Sequence, residues 1–300
     1  MLDDITLFGE VDKVEVAIER IRVLADRAIL NDPRGFVVCD SGGKDSNVIK
    51  QLAYLSGVPF EIVHNHTTVD YPETVYYVRR EKKRWEKLGI SYTVSYPTYK
   101  GKRTTFWELI PLKGPPLRHR RWCCNVPKES QNCNRYIITG VRWEESARRK
   151  QNRAAYEIQR TTKDRIKLQN DNDAKRKLME ICQVKGKVIV NPIIDWTTTE
   201  VWEFIDRYQI VTNPLYQEGH KRIGCVGCPM VDNKYELEKN PEFKRMYLNA
   251  FQKCVENKPP SRHGWKTGQE LYDWWVNGGR GMDSDQLCLF DLFPEGDDED

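Results

Sequence analysis

Apolar residues fall in short unbroken runs separated by amphipathic stretches, the pattern of buried parallel strands alternating with helices. Val14, Ala17, Ile18, Ile21, Leu24, Ala25 and Ala28 recur at helical spacing and predict one helix leading into a first strand, Phe36-Val37-Val38-Cys39. Val48, Ile49, Leu52 and Leu55 mark the next helix, which Gly57 ends, and Pro59 to His64 reads as a second strand. A helix opens at Pro72, with Glu73 in its first turn, and runs to about Leu88; a third strand follows at Ser91 to Ser95. Strand and helix alternating in this way predict an α/β fold, a doubly wound and mostly parallel sheet whose ligands gather beyond the carboxyl ends of the strands.

Further along, a short helical piece is expected around Phe106 to Ile110 and strands at Arg135 to Thr139 and Lys187 to Ile194. Asp195-Trp196-Thr197 introduces a helix with Val201, Trp202, Ile205 and Tyr208 facing inward. Residues 150 to 180, polar and poor in aromatics, read as a mobile insertion or an exposed helix. A C-terminal helical region carries Trp265, Leu271, Trp274 and Trp275, expected to cover the core. The domain reading is an N-terminal helix (1–34), a central α/β domain (35–230) that carries the candidate chemistry, a helical region (231–282) and an acidic tail (283–300).

Chemistry concentrates at the turn after the first strand. Ser41, Gly42, Gly43, Lys44, Asp45 and Ser46 join that strand to its helix. Adjacent glycines let backbone N–H groups approach a ligand, and the new helix adds unpaired N–H groups with a partial positive charge. Lys44 contributes a full charge and the serines hydroxyls, so the loop suits phosphate; Asp45 is placed to hold a cation or fix the loop. Gly140 at a strand end allows another close approach, and Arg142, Arg148 and Arg149 supply guanidinium donors for phosphate or sulfate. His64 and His66, near a second strand end, are candidate ligands or bases.

The distribution of charge sharpens this more than the net +4 does. Lys113 to Arg153 holds eleven Lys/Arg against three Asp/Glu, so the middle of the chain expects an anion. Asp283 to Asp300 holds eight acidic residues and no basic one. No apolar run reaches membrane-spanning length and no signal pattern opens the chain, so a cytoplasmic, soluble protein without a membrane partner is expected. Nine unevenly spaced cysteines do not form a disulfide framework. Cys123 and Cys124 are adjacent, and Cys225 and Cys228 form a CxxC. Structural zinc, a [4Fe–4S] cluster and metal-free buried thiols all remain compatible with that spacing.

The loop SGGKDS resembles the PP-loop of the ATP-pyrophosphatase superfamily. DYPET from Asp70, the Cys123-Cys124 pair, GVRWEES from Gly140, NPIIDWT from Asn191, NPLY from Asn213 and GCVGCP from Gly224 follow in the order seen in the phosphoadenosine phosphosulfate reductase family. That resemblance covers roughly Phe36 to Pro229. It implies an adenine nucleotide, ATP or an adenylyl sulfate, held by Ser41, Gly42, Gly43, Lys44, Asp45, Ser46, Asp70, Gly140, Arg142, Arg148 and Arg149, with Lys44, Asp45 and Arg142 catalytic. It further implies Mg²⁺ on the phosphates and a [4Fe–4S] cluster on Cys123, Cys124, Cys225 and Cys228.

The assimilatory reductases carry a Glu-Cys-Gly motif followed by an aliphatic residue and His. The C-terminal stretch here has neither Glu-Cys-Gly nor a following His; its only cysteine, Cys288, is flanked by Leu287 and Leu289, and its apolar and acidic surroundings disfavour a thiolate. The leading expectation is therefore sulfur transfer, an acceptor adenylylated and then thiolated, with nucleic acid as a candidate acceptor. Reduction of adenylyl or phosphoadenylyl sulfate to sulfite is the alternative, and a nucleic-acid-binding subunit with a regulatory nucleotide site a third. A cysteine desulfurase, a thiol reductant and a second copy of the chain are the candidate protein partners.

Overall fold

The computed structural model describes residues 2–6, 9–118, 122–124, 134–159, 165–168, 187–257 and 264–278 of the 300. The elements in chain order begin with β1 (Asp3–Thr6), β2 (Gly9–Asp12), α1 (Lys13–Arg22), α2 (Ala25–Asn31), β3 (Phe36–Asp40) and α3 (Lys44–Ser56). Next are β4 (Phe60–Asn65), α4 (Pro72–Lys87), β5 (Tyr92–Ser95), β6 (Thr98–Tyr99), β7 (Lys102–Arg103), α5 (Phe106–Lys113) and the single turn α6 (Trp122–Cys124). Then come β8 (Tyr136–Ile138), α7 (Ala147–Asn152), β9 (Tyr156–Gln159), β10 (Arg165–Leu168), β11 (Lys187–Val190) and α8 (Thr198–Arg207). The last helices are α9 (Asn233–Lys239), α10 (Pro241–Glu256) and α11 (Gly268–Val276). Two compact units contain them: residues 1–65, 72–95 and 131–223 form one, and 66–71, 96–130 and 224–300 the other.

The first unit is built on a seven-stranded sheet in the order β10-β9-β11-β8-β3-β4-β5. β11, β8, β3, β4 and β5 run parallel, while β9 and β10 close the edge antiparallel. The core is one continuous set of buried apolar side chains from one sheet face and the helices against it, including Val38, Ile62, Ile138, Val190, Trp85 and Trp196. β3 lies where the winding reverses: the chain proceeds outward through β4 and β5, then returns to β8 on the other side. The carboxyl ends of β3 and β8 therefore flank the crevice that such sheets use for ligands.

Several sequence expectations need correction. The N-terminal helical pattern is two helices, α1 and α2, because the chain turns at Val23 and Leu24. Of residues 150–180, 150–152 end the exposed helix α7, but β9 is buried and pairs with β11, supplying sheet edge rather than surface. The last parallel strand stops at Val190, since the Asn191 side chain turns to the Ala154 carbonyl (2.7 Å) and to Glu157 Oε1 (2.8 Å). In α8 the buried face is Val201, Phe204 and Ile205, with Tyr208 at the surface just past its end. The Asp283–Asp300 tail and Cys288 lie outside the described residues.

The second unit has an aromatic core of its own. Tyr247 stacks on Trp275 (4.7 Å), Phe251 meets the same indole edge-on (5.2 Å), and Phe106 stacks on Trp122 (5.5 Å). Of the C-terminal tryptophans, Trp275 belongs to this cluster and its indole donates to the Pro116 carbonyl (2.7 Å), while Trp265 and Trp274 pack against each other (5.1 Å).

Candidate functional sites

The turn between β3 and α3 is held from below by a carboxylate that the motif reading did not include. Asp40, the last residue of β3, accepts the Gly42 N–H (2.8 Å) and the Ser46 hydroxyl (2.8 Å) on one oxygen. Its other oxygen accepts from Lys50 (2.7 Å) and Tyr92 (2.6 Å). Lys50 is fully buried and also reaches Glu81 on α4 (3.3 Å). Burial works against the Asp40 charge, but Lys50, His64 and the bonds from Lys50 and Tyr92 hold its carboxyl well below the usual range. The sequence signal for Asp40 was an acidic residue closing an otherwise apolar strand just before the glycines.

Above that base the loop itself is short of internal partners. α3 starts at Gly43 with no side-chain cap, so its first turn has no side chain of its own to satisfy it. Gly42 has φ of +73°, a conformation that presents backbone N–H groups at the turn. One side of the loop is fastened by the NPLY segment: Asn213 donates to the Gly42 carbonyl (3.3 Å) and to Thr74 (3.0 Å). The Tyr216 hydroxyl accepts the Lys44 N–H (2.8 Å), and burial pushes its phenol up to about 12, so it stays protonated and keeps an O–H to donate. Asn213 and Tyr216 were legible only as a motif, without a role.

Lys44, Asp45 and Arg142 come together. Asp45 accepts from Lys44 Nζ (3.0 Å) on one oxygen and from Arg142 Nε (2.7 Å) on the other. Arg142 is buried and also donates to Glu144 (2.8 Å), the Trp196 carbonyl (3.1 Å) and Thr198 (3.3 Å). It therefore sets Asp45, and through Asp45 the Lys44 ammonium. Gly140 follows β8 against the start of α3, where a Cβ would lie 3.1 Å from the Asp45 backbone. On α7, Arg149 pairs with Glu145 while Arg148 is exposed. His64 is buried against the Asp40 carbonyl (2.9 Å).

Asp70 belongs to the second unit, with the cysteines. Its carboxylate accepts the Thr67 N–H (2.8 Å) and meets His66 Nδ1 (2.9 Å), and its backbone bridges Cys225. The Gly224–Pro229 loop is fixed at several points. Val226 N–H donates to the Val69 carbonyl (2.9 Å), Gly227 N–H to Glu236 (2.7 Å), Tyr247 to the Val226 carbonyl (2.8 Å) and Arg118 to the Pro229 carbonyl (2.8 Å). Cys123 and Cys124 are presented by α6, anchored by the buried Trp122, whose indole donates to Gly114 (3.2 Å). All four thiols are half-buried. The Cys123 thiol is pushed far up by its bond to Cys124, by burial, and by Cys124, Cys225 and Cys228. A donor set whose members repel one another as thiolates fits a multiply charged metal group. Adjacent residues on a helical turn point about 100° apart, so Cys123 and Cys124 reach separate corners of a cluster more readily than one tetrahedral ion.

A family model, the phosphoadenosine phosphosulfate reductase domain, matches residues 35–231. The chain belongs to that family. Within the curated proteins, an uncharacterised protein of Methanocaldococcus jannaschii is 27% identical over 242 residues, 78% of this chain and 50% of that one. The adenosine 5′-phosphosulfate reductase of Lysinibacillus sphaericus is 26% identical over 172 residues, 56% of this chain and 61% of the enzyme. The chain thus spans between half and about three fifths of the length of these two curated relatives. Among solved structures, the U34-tRNA thiolase NcsA of Methanococcus maripaludis, determined with its [4Fe-4S] cluster, is 14% identical with a TM-score of 0.44, covering 82% of this chain and 78% of that one.

Proposed function

We propose that this phosphosulfate-reductase-family chain binds ATP at the β3–α3 loop, transfers its adenylyl group to an acceptor oxygen, and replaces that oxygen with sulfur. The observation that carries the reading is the loop: a helix start whose N-cap Gly43 offers no side chain, beside Lys44 and fastened by Asp40, Asn213 and Tyr216, supports an anion site already held in shape. In the first step an acceptor oxygen forms a bond to the α-phosphorus and the bond to the β-phosphate breaks, releasing pyrophosphate. In the second, a sulfide sulfur attacks the activated acceptor, forming the new bond to sulfur as the bond to the former acceptor oxygen breaks, and AMP leaves with that oxygen.

The chain's own groups account for binding and charge. The α3 N–H groups, Lys44 and the Tyr216 hydroxyl stabilise negative charge building on the phosphates, while Arg142 and Asp45 keep Lys44 in place. Both carboxylates of the loop are engaged, Asp40 with Lys50 and Tyr92 and Asp45 with Lys44 and Arg142. A Mg²⁺ accompanying ATP would therefore sit on phosphate oxygens, without a carboxylate from this loop. Cys123, Cys124, Cys225 and Cys228 would hold a [4Fe–4S] cluster, which when bound supplies sulfide-binding and redox chemistry.

The family also supports a second reading, reduction of an adenylyl sulfate, because adenosine 5′-phosphosulfate reductases are among the relatives. That reaction needs a thiol to attack sulfur. Among the described residues, the two cysteines outside the quartet are poorly suited to it. Cys39 lies within β3, where burial pushes its thiol up to about 11, and Cys254 is buried against the Ile110 carbonyl (3.1 Å). Incubation with ATP, a sulfide source and nucleic acid, followed by nucleoside mass spectrometry, tests the leading reading. A thiolated nucleoside with matching AMP and pyrophosphate is expected; adenylyl sulfate reduced to sulfite, with ATP untouched, would overturn it.

A further inference from the structure

We infer that the exposed face of α4 is a docking strip for the phosphodiester backbone of a nucleic acid; the choice of partner rests on the sulfur-transfer reading and gives its acceptor a place to bind. Arg79, Arg80, Lys83 and Lys87 are all exposed and recur at three- and four-residue intervals, so they share one face. From Arg79 to Lys87 that face extends about 12 Å at the rise of an α-helix. Tyr76, 67% exposed, begins the strip, with the Arg79 guanidinium 5.8 Å from its ring centroid.

The charge on this face is not cancelled locally. Glu81 points the other way, buried on Lys50 and Arg84, and Glu86 is taken by Lys82. Among the described residues, no carboxylate pairs with Arg79, Arg80, Lys83 or Lys87. Four unpaired cations in a row on a rigid helix match a polymer with regularly repeated phosphates, and arginines bind phosphate oxygens through two parallel donors. An exposed tyrosine at the end of such a strip offers a ring for an unstacked base.

The helix is also firmly seated. On its inner side Tyr77 donates to Asn47 of α3 (3.0 Å), Thr74 meets Asn213 (3.0 Å), and Glu81 closes the Lys50–Asp40 network under the loop. The same element thus braces the nucleotide loop with one face and presents the cationic strip with the other.

The test is a fluorescence-anisotropy titration of labelled duplex DNA and hairpin RNA with the full chain, repeated across salt concentrations upward from about 50 mM. Arg79→Gln/Arg80→Gln/Lys83→Gln/Lys87→Gln is expected to lose at least tenfold in affinity at the lowest salt. Its log–log salt slope on duplex should become shallower by about 3 to 4, near 0.9 per lost phosphate contact. The milder Arg80→Gln/Lys83→Gln should show about half the slope change, and urea unfolding and circular dichroism confirm that each variant folds. Whether DNA or RNA shows the larger effect identifies the source of the backbone.

Lys100→Gln/Lys102→Gln/Arg103→Gln, on the exposed β6–β7 turn of the other unit, should bind as the parent does. Unchanged binding by the α4 variants, loss in the β6–β7 variant instead, or binding only to anionic lipid vesicles would overturn the inference. Adenylylation is assayed separately on the parent chain. Nucleic acid bound through α4 by a chain inert toward ATP would remove the sulfur-transfer reading and leave the strip standing. Release of AMP and pyrophosphate with no effect of the α4 substitutions would do the reverse.

Discussion

Lys44 and Asp40 do different work at the same loop, and their substitutions separate binding chemistry from scaffold. Lys44→Ala removes the one full positive charge on the loop and should reduce adenylyl transfer about 10²- to 10³-fold, or roughly 2.7 to 4 kcal/mol, the usual cost of one well-placed donor. Pyrophosphate release under saturating ATP measures this, and an unchanged rate would place the phosphates elsewhere. Asp40→Asn leaves the fully buried Lys50 without its nearest carboxylate and should destabilise the fold by about 3 to 5 kcal/mol. Because the folded state holds the Asp40 carboxyl low, its contribution is complete above about pH 4 and declines as pH falls through the folded value. The stability gap between parent and Asp40→Asn in urea unfolding should thus be constant near neutrality and narrow below about pH 4; a gap independent of pH would contradict the assignment. The loop glycines and Lys44 were legible in sequence because phosphate chemistry prescribes their types and spacing. Asp40, Lys50, Asn213 and Tyr216 were not assigned roles, since each acts through a partner distant in the chain.

Elements fix what single residues cannot. The CxxC loop turns at Gly227, whose φ of +70° and closeness to Tyr247, 2.8 Å from where a Cβ would lie, admit no side chain without displacing a buried ring. Gly227→Ala is expected to cost about 1 to 3 kcal/mol in backbone strain alone and to lower the iron recovered with the protein. Tyr247→Phe, which keeps the ring and loses only the bond to the Val226 carbonyl, should retain iron. Iron content equal to the parent in Gly227→Ala would mean that this loop does not hold the metal group. The strands and helices that frame the nucleotide loop were visible as apolar runs and helical spacing. The edge hairpin β9–β10 was not, because the chain between 150 and 180 is polar enough to read as surface while Tyr156, Glu157 and Ile158 are in fact buried.

At the scale of the whole molecule, the reversal of the winding beside β3 emerged only from the strand order, whereas the alternation of strand and helix patterns was enough to predict a mostly parallel sheet, because such a topology leaves a periodic trace. The partition into two units left none. Asp70 stands in sequence between two elements of the nucleotide-binding sheet, yet it belongs to the unit of the cysteines, and only tertiary contacts reveal that assignment. One unit carries the β3–α3 loop proposed to bind ATP, and the other the four cysteines proposed to hold the metal group. The most direct measurement is anaerobic purification followed by parallel incubation with ATP and with adenylyl sulfate, reading iron, acid-labile sulfide and products together. The account predicts about four irons per chain, AMP and pyrophosphate from ATP, and an intact sulfate ester. Sulfite released from the sulfate ester, with ATP left whole, would contradict it.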